Sequence, residues 1–358
     1  MPSLLEAGGV SPAAGELWGL AVMGRQPLSP ERTLAESEVL DGAVLVLRRD
    51  TPELRDRVSP AASPARAEGS PLERSRRRLT GAGALEAVIR DARPVRCATI
   101  AVVSPKGGVG KTTVSVLLGE LLATLRTDTV LALDADGDYG SLTRIGPAAP
   151  AAGDPVRDDE IFPDLSQGAV TFAELDRRLW RLHHGLRIVP APRDPAAMAR
   201  TDRAVYARVI GNLQRLAAVL ILDCGTGLAQ AGAQAAIIAC DQLLIVSDAS
   251  GASISLAHEA ATLLERAGRP ITIVGNRLAR GRGGAEELAR LDASFPSASA
   301  LAMIPEDPAA QLALRGEFDF DRAPRPVHDA ILELAGGLVA AWPEVGLTPD
   351  GRGRSPQV

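Results

Sequence analysis

Lysine is almost missing from this sequence. Of 39 basic residues only Lys106 and Lys111 are lysines, and every other positive charge is an arginine. Aromatic residues are scarce too, 3% of the chain against 46% hydrophobic residues in all, so a core has to be built from Ala, Leu, Val and Ile, which suits parallel strands buried under helices. The three cysteines, Cys97, Cys224 and Cys240, form no CxxC pair, and no histidine cluster has metal-ligand spacing, which fits a reducing, cytoplasmic compartment. The pair His183-His184 closes a helical stretch and reads as surface. No apolar run reaches the length of a membrane span, and the first residues lack the order of a signal peptide, so a soluble chain is expected. Nor is positive charge in excess. A net charge of −5 argues against a surface given over to nucleic acid, and Arg277, Arg280 and Arg282 make the one local basic patch in the C-terminal part.

What the sequence does contain is one dense stretch, Ser104-Pro-Lys-Gly-Gly-Val-Gly-Lys-Thr-Thr113, between an apolar β-type run at Ala98 to Val103 and a helical pattern through Arg126. Strand, glycine loop and helix in that order are the context of a phosphate-binding loop. Gly107, Gly108 and Gly110 let backbone amides along the loop, past Val109 to Thr113, turn toward a polyphosphate. The helix N-terminus adds partial positive charge, Lys111 reaches the β- and γ-phosphates, and the Thr112 hydroxyl is placed to ligate Mg²⁺. A chain that writes its other positive charges as arginine and puts both lysines here needs a compact ammonium, because a wide planar guanidinium fits a phosphate cradle poorly. ATP and Mg²⁺ are the expected ligands.

A plain phosphate loop would carry glycine where Pro105 stands and would have no use for a lysine at 106. With Lys106 in place the loop resembles the deviant Walker A motif of the ParA/MinD ATPases, whose second, signature lysine stands at this position. The resemblance implies a homodimer that sandwiches two ATP molecules, with Lys106 of each subunit reaching the nucleotide of the other.

Downstream, Thr129-Val-Leu-Ala-Leu-Asp-Ala-Asp136 reads as a buried strand ending in two carboxylates that period-two geometry points the same way, at the strand end where ligands sit in open α/β sheets. The resemblance makes this switch I, with Asp136 positioning the attacking water and Asp134 nearer the metal. Residues 144–185 read as a connection without chemistry that holds one amphipathic helix, Thr171 to Leu182. A strand at Leu186 to Pro190 and a helix at Asp202 to Leu216 follow. Val219-Leu-Ile-Leu-Asp223 reads as a Walker B strand whose terminal carboxylate holds Mg²⁺ through water. Cys224-Gly-Thr-Gly-Leu228 would then be a glycine-hinged switch II, and its single cysteine does not match the two-cysteine pattern of iron–sulfur relatives. The catalytic residues expected are Lys106, Lys111 and Asp136, and the metal ligands Thr112, Asp134 and Asp223.

The strand Gln242 to Val246, the helix Ile254 to Ala267 and the strand Ile271 to Gly275 continue a βαβ alternation. Asn276 falls at a strand end and matches the family's adenine-contacting asparagine, and Ala302-Met-Ile-Pro-Glu-Asp307 matches the loop that borders the base near Pro305. The last helix, Pro326 to Trp342, carries an apolar stripe and no lysine or arginine past its start, so no membrane-targeting helix is expected.

Ahead of all this, residues 17 to 49 hold two short strands, Leu17 to Val22 and Ala43 to Leu47, around turns at Thr33-Leu34 and Asp41-Gly42. They resemble the second half of a ubiquitin-like domain of the kind attached to actinobacterial type VII secretion components. The expected organisation is a partial ubiquitin-like, β-grasp segment at 1–49, a Pro/Ser/Arg-rich linker at 50–93 with a short helix near Leu79 to Arg90, an α/β domain at 94–345 with a mostly parallel sheet and helices on both faces, and a disordered tail at 346–358. The switch segments look most like the type VII secretion-associated branch of the family. The expected function is a Mg²⁺-dependent ATPase acting as an ATP-driven dimerisation switch, cytoplasmic, recruited to a membrane complex by a protein partner in a secretion machinery. The alternatives are a DNA- or cargo-partitioning ATPase and a non-hydrolysing ATP sensor.

Overall fold

The computed structural model describes residues 17–22, 45–50, 70–78, 82–137, 140–145, 161–168, 170–192 and 194–348, in two units that divide between Arg66 and Ala67. In the first unit β1 (Leu17–Val22) and β2 (Leu45–Asp50) form an antiparallel pair with Leu17 opposite Asp50. The turns expected at Thr33-Leu34 and Asp41-Gly42, and the Ser-Pro stretch between the units, lie outside the described residues.

The second unit opens with α1 (Pro71–Arg78) and α2 (Ala82–Asp91), both inside the stretch whose composition reads as linker. Both pack on the body. Leu72 N–H donates to Asp292 Oδ1 (2.8 Å), Leu301 N–H donates to Ser75 Oγ (2.8 Å), and Leu85 and Ile89 are buried in the core. The boundary drawn at residue 93 therefore falls within a packed unit; two apolar residues one turn apart are too few to register as periodicity. At the other end, Leu347 is fully buried and its carbonyl accepts Val95 N–H (2.8 Å), so the packed body reaches into the stretch expected to be a tail. Residues 349–358 lie outside the described residues.

The remaining strands are β3 (Ala98–Ser104), β4 (Val130–Ala135), β5 (Trp180–Arg181), β6 (Arg187–Val189), β7 (Val219–Thr226), β8 (Gln242–Ser247), β9 (Ile271–Leu278) and β10 (Ala300–Pro305). They form one sheet in the order β10-β9-β8-β3-β7-β4-β6-β5, parallel except for the β5–β6 edge pair. The helices are α3 (Lys111–Leu125), α4 (Ile161–Gln167), α5 (Phe172–Arg178), α6 (Pro195–Arg200), α7 (Arg203–Leu213), α8 (Ala231–Ala239), α9 (Gly251–Leu264), α10 (Gly281–Ser294) and α11 (Arg325–Ala340). Alternate strand residues face opposite layers: Ile100, Val102, Val219 and Ile221 pack with α2, α3 and α11, whereas Ala101, Val103, Leu220 and Leu222 pack with the side that holds α4, α7 and α8. β3, covered on both faces, is buried at every position and is apolar at all but Thr99 and Ser104, which is how a core with few aromatics still closes. Among the described residues no helix is long and apolar enough to cross a membrane.

One helix is shorter than its periodicity suggests. Thr171 and Glu174 form a capping box that starts α5, but the helix stops at Arg178 and the chain turns into β5. Leu179 and Leu182 continue the helical spacing yet pack in opposite layers of the core, as residues of an extended edge do.

The helix that follows the phosphate loop carries a buried charge. Glu120 is 2% exposed, and its carboxylate accepts the backbone N–H groups of His184 (2.8 Å) and Leu186 (3.3 Å), tying the β5–β6 turn to α3. Burial outweighs those bonds and pushes the group from 4.5 up to about 7. A folded pKa raised above the unfolded one gives stability that is complete below the unfolded value and is lost as pH rises through the folded value. In urea unfolding the nucleotide-free chain is expected to lose up to about 3 kcal/mol between roughly pH 5 and pH 8 through this group. Glu120→Gln flattens that part of the profile, and an unchanged slope in the variant refutes the assignment.

Candidate nucleotide-binding site

β3 ends at Ser104 and α3 starts at Lys111, so Pro105 to Gly110 make the loop between them. Gly108 (φ 76°) and Gly110 (φ 96°) hold left-handed backbone. A side chain on Gly110 would also overlap the amide of Asn276, so glycine is required there for space as well as for conformation. Val109 is fully buried and fixes the middle of the loop to the core.

Asn276 stands near the carboxyl end of β9, 4% exposed, and its Nδ2 donates to the Val109 carbonyl (2.8 Å). The residue expected at the adenine thus also braces the phosphate loop. Pro305 is buried at the carboxyl end of β10, in register with Leu278, at the same end of the sheet. Arg277, next to Asn276, has φ 58°, a non-glycine residue in the left-handed region where the chain leaves the site. Of the basic patch, Arg280 is ion-paired with Asp307.

On the metal side, Asp223 is 2% exposed near the end of β7. Thr112 Oγ1 donates to its Oδ2 (2.7 Å) and Ser115 Oγ to its Oδ1 (2.9 Å). The β4–β7 register sets Asp134 beside Asp223. Burial, and then the Asp134 charge, push Asp223 up to about 7 against the pull of Thr112, Lys111 and Ser115. A buried carboxylate and a hydroxyl, with no nitrogen or sulfur donor, suit a hard dication, which would bring the carboxylate back to its charged form.

Asp134, expected among the metal ligands, is hydrogen-bonded within the chain. It is fully buried; its Oδ2 accepts Thr143 N–H (2.7 Å) and Thr143 Oγ1 (2.5 Å), and its Oδ1 accepts Asp136 N–H (3.1 Å). Burial raises its pKa too. Through these bonds it braces the loop that carries Asp136. Asp136 lies just past the end of β4 and is partly exposed, so the period-two argument, which needs a strand, does not reach it.

Lys106 is held within its own chain. Its Nζ lies 3.1 Å from Asp248 Oδ2 and 3.0 Å from Ser250 Oγ, and Ser250 N–H donates to Asp248 Oδ1 (3.0 Å). Sequence reasoning passes over both partners. The available signal is the Asp-x-Ser pair ahead of α9, where Ser250 is the N-cap and accepts Ser253 N–H (3.3 Å). Cys224 is buried, and burial pushes its thiol well up. Away from the loop, His183 is exposed as expected, but His184 is half-buried and its Nε2 accepts Phe320 N–H (3.1 Å).

Residues 100–319 match the family described as CobQ/CobB/MinD/ParA nucleotide binding domain. A stretch of 132 residues is 33% identical to the ESX-1 secretion-associated protein EspI of Mycobacterium tuberculosis, over 36% of this chain and 18% of that protein. The chain thus spans less than a fifth of the length of that relative. An uncharacterized ATP-binding protein of Methanocaldococcus jannaschii is 26% identical over 251 residues, 69% of this chain and 90% of the relative. A ParA family ATPase from Chlorobium tepidum TLS shares the fold with a TM-score of 0.56 and 21% identity, over 67% of this chain and 98% of its own.

Proposed function

The chain belongs to the CobQ/CobB/MinD/ParA nucleotide-binding family, and from that premise we propose that it is a Mg²⁺-dependent ATPase working as an ATP-driven dimerisation switch. The observation that carries this reading is the loop from Ser104 to Thr113, where left-handed glycines shape the backbone and both lysines of the chain stand. Lys111, at the start of α3, meets the β- and γ-phosphates, while backbone amides from Gly107 to Thr113 cradle them. Thr112 and Asp223 would hold Mg²⁺, which when bound neutralises charge on the phosphate oxygens. Asp136, held in place by Asp134, orients the attacking water. Asn276 and Pro305 border the base. Lys106 leaves Asp248 and Ser250 and reaches the nucleotide of a second copy. Catalysis then comes from positioning and from charge stabilisation.

The ATPase domain in this reading is the 94–345 core with α1, α2 and Leu347 added to it, and residues 1–49 form a ubiquitin-like attachment. The output is a protein contact with a secretion machinery at a membrane; the match to a secretion-associated relative supports that partner class. A DNA-partitioning role is less well supported, since one of its three candidate arginines is paired with Asp307. Phosphate release per mole of protein is expected to rise with protein concentration, as a dimerising enzyme requires. Specific activity that is flat with concentration, or absent, overturns the switch in favour of a monomeric sensor.

A further inference from the structure

The pair His183-His184 lacks a third ligand nearby in sequence, and the fold supplies one from far along the chain. The turn between β5 and β6 stands against the stretch that follows Gly316, so that one ring nitrogen of His183, one of His184 and one carboxylate oxygen of Asp319 all lie within 4.8 Å of one another. His184 Nε2 is 3.8 Å from Asp319 Oδ1. The two histidine rings meet edge to face, their centroids 4.7 Å apart. His183 is exposed, and with Glu317 and Asp319 it lines an open cavity of about 330 Å³, room for an ion and the water it carries. Asp319 is oriented from behind, because Asp321 N–H donates to its Oδ1 (2.9 Å). Arg322 Nε comes within 3.5 Å of the other oxygen, but that side chain is 88% exposed and can swing out.

We propose that His183, His184 and Asp319 form a binding site for a zinc-class dication, separate from the Mg²⁺ site of the nucleotide. Two imidazole nitrogens and one carboxylate oxygen, with no thiolate, suit Zn²⁺ better than Mg²⁺ or Ca²⁺, which take oxygen ligands. Ligand atoms on one tetrahedral ion stand about 3.4 Å apart, so the present spread closes by a small rotation of the exposed His183 ring. The fourth position faces the cavity and takes water. His184 has to change partner. Its Nε2 now accepts Phe320 N–H (3.1 Å), which makes the ring neutral with its one lone pair on that nitrogen. The ion takes this lone pair without displacing a proton, and Phe320 N–H loses its acceptor. Giving up one neutral hydrogen bond weakens the hold on the ion by about two- to tenfold, so ion and hydrogen bond compete at a single atom. Both segments lean on α3: His184 N–H donates to Glu120 on that helix (2.8 Å), and residues 308–315, just ahead of Asp319, pack on it. A bound ion therefore clips together two pieces of chain that brace the helix of the phosphate loop.

The test is calorimetry with ZnCl₂ on the full chain, free of any affinity tag and stripped with a chelator, in buffer without Mg²⁺ or nucleotide. One ion per chain is expected to bind, and to bind at least about tenfold more weakly in His183→Ala and in Asp319→Asn. Saturating Zn²⁺ is expected to raise the melting temperature of the wild-type chain and to leave that of His183→Ala unmoved. It should also shift the amide resonance of Phe320, whose N–H gives up His184. If Asp319→Asn does not fold, His183→Ala, at an exposed position, carries the comparison alone. No binding of Zn²⁺, binding that the variants leave unchanged, or a Phe320 amide unmoved at saturation overturns the site, whatever the outcome for ATP.

Discussion

Lys111→Ala is expected to abolish ATP binding. Calorimetry with Mg-ATP should register no heat for this variant at concentrations that saturate the wild-type chain. The size follows from what the ammonium meets. Charge-assisted hydrogen bonds to a polyphosphate are worth about 1.5 to 3 kcal/mol each, and two of them lost together lower the affinity by at least about a hundredfold. Removing the ammonium also takes away one of the groups that hold Asp223 down, so the metal side of the site is weakened in the same step. Lys111→Arg is expected to rescue little, since the planar fork cannot sit where a point charge sits. In a chain that uses arginine almost everywhere else, that is the informative control. Heat of binding close to wild type in either folded variant would remove the phosphate loop from its assigned role.

How far such a site can be read from sequence depends on the distance between the partners. The loop is legible because its requirements are local: glycines at Gly108 and Gly110 for backbone sign, a lysine at the helix start, an apolar strand before it. The alternation of strands and helices is legible for the same reason, and so is the start of α5 at Thr171. What the sequence leaves out is each contact made with a residue elsewhere in the chain. Asp134, expected at the metal, also holds Thr143 on its carboxylate. Asn276, expected at the base, also donates its amide to the Val109 carbonyl, 167 positions earlier. The helix stop at Arg178 goes with the turn into β5, which pairs with β6; α2 falls on the helix expected near Leu79 to Arg90, and α1 is hidden because a few contacts with a distant surface suffice to dock it. Local chemistry shows which groups are present, and the fold decides which of them are free to act.

Lys106 is where that distinction matters most, because its ammonium rests on Asp248 and Ser250 and its side chain is 34% exposed. A half-exposed ion pair of this kind is worth about 0 to 1 kcal/mol, so Lys106→Ala is expected to fold normally and to bind Mg-ATP within about threefold of wild type. Turnover is another matter. A cation supplied to the transferring phosphoryl group from a second molecule is worth about 10³ to 10⁵ in kcat, so phosphate release should fall by about three decades at unchanged affinity. Mixing decides whether the lysine acts across the interface. Lys111→Ala protein brings Lys106 but no nucleotide, and Lys106→Ala protein brings nucleotide but no Lys106, so a mixed dimer rebuilds one complete site from two inactive chains. Activity that reappears on mixing, and grows with the concentration of the Lys111→Ala partner, is the expected result. Full activity of Lys106→Ala alone would leave the lysine without a part in turnover, and mixtures as silent as their components although a mixed dimer forms would place its action within its own chain; either ends the in-trans mechanism.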